Sequence, residues 1–238
     1  TLMPMLRTHA MNIFAALLAE SRVFVADEDL WREKPPISLV KNQWIALSWV
    51  SRGIVEMRSD WIKALLLRTT QANRAVIEHL VLPVSRIPGH PFGARMLDSA
   101  LRAVRIAERD PIWAVPEHLS GNGPWAGAFS TVLDRIALDP GVDNWDGRPL
   151  ILAWNCASVV EARRRQARES LGEWGAENLE QMTRLMEHMT NVDDPQVLED
   201  LVSATLGAVL GSDIRTDKAL LVNLAEILCA RLLAANAT

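Results

Sequence analysis

Residues 84–119 read VSRIPGHPFGARMLDSALRAVRIAERDPIWAVPEHL, and their punctuation decides the fold. Pro88-Gly89 breaks the chain. Pro91 suits the first turn of a new helix, where its missing N–H costs nothing. His90, just before it, can cap that start, because an imidazole nitrogen accepts a backbone N–H. Leu97, Leu101, Val104 and Ile106 then follow a roughly helical stripe. Asp110-Pro111 signals a second start, with Asp110 as N-cap and Pro111 at the first helical position. Ile112, Trp113 and Val115 supply its apolar mass, and Arg109 is placed to fix the turn by pairing with a carboxylate or a helix C-terminus.

Helical periodicity continues on both sides. Upstream, helices are expected over 6–22, 39–50, from Ser59-Asp60 onward, and over 73–82, the last ending at Pro83; Val23-Phe24-Val25 is β-like but too short to set a sheet class. Downstream they are expected over 125–138, 149–157, 159–174 and 176–189. Asp194-Pro195 opens the best-defined helix, with Val197, Leu198, Leu201, Val202 and Val209 apolar and Gly211 as its stop. A helix over 216–235 follows. The product is an all-α chain, read as an irregular α-solenoid of antiparallel helix pairs, HEAT- or TPR-like, with unequal spacings. Residues 1–83 form an N-terminal helical segment and 84–238 a helical-repeat segment, read as one continuous solenoid. The opening Thr1-Leu2-Met3-Pro4 reads as an internal cut from a longer chain.

Composition narrows the function classes. The chain has 238 residues, 49% of them hydrophobic, which is enough for a sizeable core. A net charge of −4 argues against a dedicated nucleic-acid binder. No apolar run reaches the roughly 18 residues of a membrane span. Two cysteines far apart, Cys156 and Cys229, make no metal framework; both lie in apolar helical contexts, read as buried thiols, and fit a cytoplasmic protein.

No Walker A motif occurs, and none of the five histidines has a recognised metal-ligand spacing. The Glu-His pairs at 78–79, 117–118 and 187–188 are adjacent residues, which do not face each other on a helix, so surface or capping roles are expected. Asp193-Asp194 reads as a helix start rather than a metal pair. Arg163, Arg164, Arg165 and Arg168 could contact phosphates, but Glu161 and Glu169 at helical spacing favour a solvated charged face. No catalytic, cofactor or metal residue is assigned. The partner-binding residues expected are Asp143, Trp145 and Arg148, in the polar loop 139–148, DPGVDNWDGR. An exposed aromatic beside an Arg suits an interface hot spot. The alternative, a Trp folded back on its own helices, stays open.

The pattern SR-P--HPF-A--L…L…ERD--W resembles the C-terminal helical region of bacterial antiviral STAND NTPases, the Avs family. His90, Pro91, Arg109, Asp110 and Trp113 carry it. Leu152-Ala153-Trp154-Asn155 and the run from Val192 to Glu199, with Asp194-Pro195, are similar to two further segments of that family. Gln196 stands where an aromatic is usual, Asp200 where a basic residue is, and Leu206-Gly207 where an aromatic-glycine pair is. The resemblance implies a sensor that binds a phage structural or packaging protein and relays activation to an NTPase module outside this chain, where ATP and Mg would bind. Neighbouring domains of the same polypeptide are the other implied partners; nucleic acid and membrane are not expected. A generic helical scaffold unrelated to defence is the alternative. An all-α enzyme would need convergent polar groups, and the sequence offers no such set.

Overall fold

A computed structural model describes residues 63, 66–67, 76–87, 89–110, 113, 136–212 and 218–235. The helices expected over 6–22 and 39–50, the β-like Val23-Phe24-Val25, Pro111, and the Glu-His pair at 117–118 fall outside them, as do most of the helix from Ser59-Asp60 and most of the helix expected over 125–138. Every described element is helical, with no strand among the described residues. No described helix is long and apolar enough to cross a membrane. The chain divides into two compact units, Thr1–Val84 and Ser85–Thr238.

In the first unit the helical backbone runs through Ile77–Val81 into Leu82–Val84, two residues past the expected end. Val76, Ile77, Leu80 and Val81 are buried, as their spacing requires. Pro83 has no N–H to give and its ring crowds the preceding turn. The helix accommodates it by widening: the Leu82 N–H bonds to the Ile77 carbonyl five residues back, a π-type turn.

The second unit contains α1 (Ala94–Arg102), α2 (Ile106–Arg109), α3 (Arg148–Asn155), α4 (Glu161–Glu177), α5 (Leu179–Met189), α6 (Pro195–Gly211) and α7 (Lys218–Ala235). The best local signal holds. The Asp194 carboxylate accepts the N–H groups of Gln196 (3.1 Å) and Val197 (3.3 Å), Pro195 stands in the first turn, and α6 ends at Gly211. The opening stretch folds with different boundaries. Pro91 lies in a turn, and α1 begins three residues later with Gly93 as its cap. His90 does cap this turn: its Nδ1 accepts the Phe92 N–H at 3.2 Å, and burial lowers its pKa, favouring the neutral ring that can accept. Asp110 is not an N-cap. Its backbone is already helical, because α2 starts four residues earlier, where the Glu108 carboxylate accepts the Arg105 N–H at 3.4 Å. Val104 falls between α1 and α2, so the stripe breaks there. Ile136, Ala137 and Leu138 are not helical.

The core of this unit is built on α4 and α6, with α3 and α5 packed against them. Leu171, Trp174, Met182, Leu185, Met186, Val197 and Leu201 are buried, each contributing about 1.5–3 kcal/mol on removal from water. Small residues let α4 and α6 approach closely. A Cβ added at Gly175 would lie 2.8 Å from the Ala208 Cβ and 3.0 Å from Met182 Cγ, so no larger residue fits without moving α6 or α5. Asn178, with non-helical backbone, separates α4 from α5; its N–H returns to the Gly175 carbonyl at 3.1 Å and its side-chain amide to the Trp174 carbonyl at 3.3 Å. Cys156 is buried, and burial pushes its thiol pKa up, whereas Cys229 on α7 is exposed, not buried as its apolar neighbours suggested.

Candidate interaction surface

The loop between Leu138 and α3 is tied from within. The Asp139 N–H donates to Asp143 Oδ2 (2.8 Å), the Asp143 N–H returns to the Asp139 carbonyl (2.8 Å), and the Gly141 N–H donates to Asp139 Oδ1 (3.0 Å). The sequence reading placed Asp143 toward a partner. Its side chain is instead fully buried, serving the turn and facing Arg86 Nε at 3.5 Å. A carboxylate removed from water needs compensation: the turn donates to Oδ2, and the Arg86 charge faces Oδ1 without a hydrogen bond. Gly147 closes the loop against the segment before α1: a Cβ there would lie 2.4 Å from the Ser85 carbonyl oxygen. Gly147→Ala should therefore cost about 1–3 kcal/mol through forced backbone displacement, read as a lowered urea midpoint. An unchanged midpoint would mean that the loop is not held there.

Trp145 is folded back and half-buried. Its N–H donates to Gln181 Oε1 at 3.2 Å. The ring lies 5.0 Å from that of His188, and the Arg95 guanidinium sits over it at 4.6 Å. Arg95 Nε also pairs with Asp146 Oδ2 at 3.3 Å. Arg148, the first residue of α3, donates Nη1 to the Ala137 carbonyl at 3.4 Å. Burial and the Arg86 charge lower its pKa, with Asp143 opposing them. Ile87 and Val142, each one residue from the Arg86–Asp143 pair, are about half exposed.

Beneath Trp145 lies a polar hub. Asp98 on α1 accepts Arg102 Nε (2.9 Å) and the indole N–H of Trp154 on α3 (3.0 Å), and His188 Nε2 on α5 lies 2.9 Å from its other oxygen. Arg102 Nη2 reaches on to the His188 carbonyl at 3.0 Å. Three helices thus meet on one carboxylate. His188, expected in a surface or capping role, is instead part of this hub. Burial raises the Asp98 pKa, but the His188 hydrogen bond and the Arg102 and His188 charges outweigh it and hold it below 3.8. A pKa lowered on folding adds stability that is present above the unfolded value and lost as pH falls through the folded one. Unfolding free energy should therefore drop below about pH 4, and Asp98→Asn should flatten that part of the profile relative to the parent. Parallel profiles for the two proteins would refute this.

Arg109, on α2, is 1% exposed. It pairs through Nη2 with Asp193 Oδ1 at 2.6 Å, just before α6, and stands 5.0 Å over the Trp154 ring. The carboxylate expected near Arg109 is thus 84 residues away in sequence. Trp113 donates its indole N–H to the Trp154 carbonyl at 2.7 Å. Burial and the Asp194 charge raise the Asp110 pKa, with Arg109 opposing them. Asp193 thus holds Arg109 while Asp194 caps α6.

The charged face expected on α4 turns partly inward. Arg164 and Arg168 both pair with Asp200 on α6, whose side chain is 3% exposed, and Gln196 Nε2 donates to the same carboxylate at 3.2 Å. Arg164 and Arg168 also meet Glu161, and Arg165 faces Glu169 at 4.0 Å on the outer side. Asp98, Trp154, His188 and Asp200 were not singled out from sequence as site residues. The available signal was an acid set among buried apolar positions, Asp98 beside Leu97 and Asp200 beside Leu201.

Comparison of this chain with protein-family models, curated proteins and solved structures gives no match.

Proposed function

We propose that this chain is a non-catalytic recognition region that binds a protein partner through the loop 139–148 and its surroundings. One observation carries the reading: the loop is fixed by its own turn and by Gly147 against Ser85, so that Arg148 and the folded-back but partly exposed Trp145, with Arg95 of α1 over its ring, sit on a held frame. Pre-organised aromatic and arginine side chains bind at low ordering cost. The helices stack, in this reading, as an irregular α-solenoid in the cytoplasm. Resemblance to the Avs proteins supports the narrower form: a sensor of a STAND NTPase that binds a phage structural or packaging protein, with the ATP- and Mg-binding module outside this chain. A target would shift the intact protein toward its active state by binding that state better.

The test is binding of the purified chain to a panel of purified phage structural and packaging proteins. One of them should bind, and Trp145→Ala and Arg148→Ala should weaken it by about tenfold, or about 1.4 kcal/mol each, with the melting transition as a folding control. Binding of none would leave the generic scaffold reading in place of the sensor. Equal binding by both variants would remove the loop from the interface.

A further inference from the structure

The helix α7 has two faces. Its helical repeat puts Leu220, Leu221, Leu224, Ile227 and Leu228 on one side, all buried or half-buried, and the helix packs against α5. The same repeat puts Lys218, Ala219, Val222, Ala225, Glu226 and Cys229 on the other side, and all of these are exposed, Val222 to 50%. Between its two charges this outer face is apolar, and a helix that is apolar on both sides is normally covered on both. Neither Lys218 nor Glu226 is paired with an opposite charge among the described residues. The order of the outer residues is its own complement. Counted outward from Val222, Ala219 matches Ala225 and Lys218 matches Glu226. Two copies of α7 laid antiparallel about a twofold axis at Val222 therefore set valine on valine, alanine on alanine, and each lysine on the other copy's glutamate. In such an isologous contact every pairing off the axis occurs twice. The alanines let the two backbones approach, and the charges at the rim fix direction and register. Parallel pairing would set lysine on lysine and glutamate on glutamate.

We infer that the outer face of α7 is a self-association surface, and that its occupant is the same face of a second copy of this chain, antiparallel and centred on Val222. The charge self-complementarity is what selects a second copy over any other partner. The inference goes beyond the recognition reading of the loop 139–148 and does not depend on it. A contact of a few helical turns per copy is small, so the dimer is weak and depends on concentration.

The test is sedimentation equilibrium of the purified chain, which should show a reversible monomer–dimer transition between about 10 μM and 1 mM. Lys218→Glu and Glu226→Lys each set like charges against one another on both sides of the axis, and each should weaken the dimer by about tenfold. Mixing the two variants restores both pairs, so the mixture should associate at least as tightly as the parent, and so should the double variant. Val222→Cys should form a disulfide dimer under mild oxidation, because the axis brings its two thiols together. Cys229 should not, since it stands about 20 Å from its counterpart along the paired helices. All the substituted positions are exposed, so the melting transition should stay in place. A parent that is monomeric throughout, charge variants that associate as the parent does, no recovery on mixing, or a disulfide through Cys229 in the parent would each overturn the inference. Capture of a phage protein is read separately, since none of these variants lies in the loop 139–148.

Discussion

Trp154→Ala should lower the unfolding free energy of this protein by about 3–5 kcal/mol, measured by urea denaturation followed by far-UV circular dichroism. Trp154 is fully buried, so the substitution opens a cavity between α1 and α3. It also removes the indole N–H from Asp98 and the ring beneath Arg109. Both of those groups are buried and charged, and neither is placed to recruit solvent. Trp154→Phe separates the two effects. It keeps most of the volume and loses the hydrogen bond to a carboxylate, a cost of about 1.5–3 kcal/mol. If Trp154→Ala costs less than 1 kcal/mol, the hub does not organise this unit.

Asp200→Ala should cost about 3–5 kcal/mol in the same assay, because it leaves Arg164 and Arg168 facing α6 with their shared carboxylate gone. The lower end is expected, since these side chains are 19% and 29% exposed and can turn outward to water and Glu161. Replacing Arg164, Arg168 and Asp200 together by Met, Leu and Leu should cost much less than Asp200→Ala alone. That contrast is the diagnostic result. A buried charge cluster is sensitive to losing one member because the others remain desolvated, not because the set outweighs an apolar equivalent. A triple variant as unstable as the single one would mean that Asp200 acts through packing alone.

Legibility varied with the range of the interaction. The start and stop of α6 could be read directly, because an Asp-Pro start and a glycine stop act on backbone groups within one turn. The same dipeptide at 110–111 misled, because the competing start at Arg105–Glu108 was already helical when the chain reached Asp110. Pro83 misled in the other direction, since a π-type turn let the helix run through it. At the candidate surface, the loop, its aromatic and its arginine were all legible, but their orientations were not. Whether Trp145 faces out or in depends on Arg95 and His188, and no local rule brings those residues to it.

The amino-acid sequence by itself determined that the described residues are helical, where α6 begins and ends, and where the polar turn before α3 falls. Each depends on hydrogen bonds between residues at most five apart. Only the tertiary structure decided that Asp98 would gather Trp154 and His188, that Asp200 would hold Arg164 and Arg168, and that Asp143 would turn inward. The physical reason is desolvation. Once helix packing removes a carboxylate from water it must find donors wherever the neighbouring helices supply them, and those donors lie 32 to 90 residues away for Asp200 and Asp98.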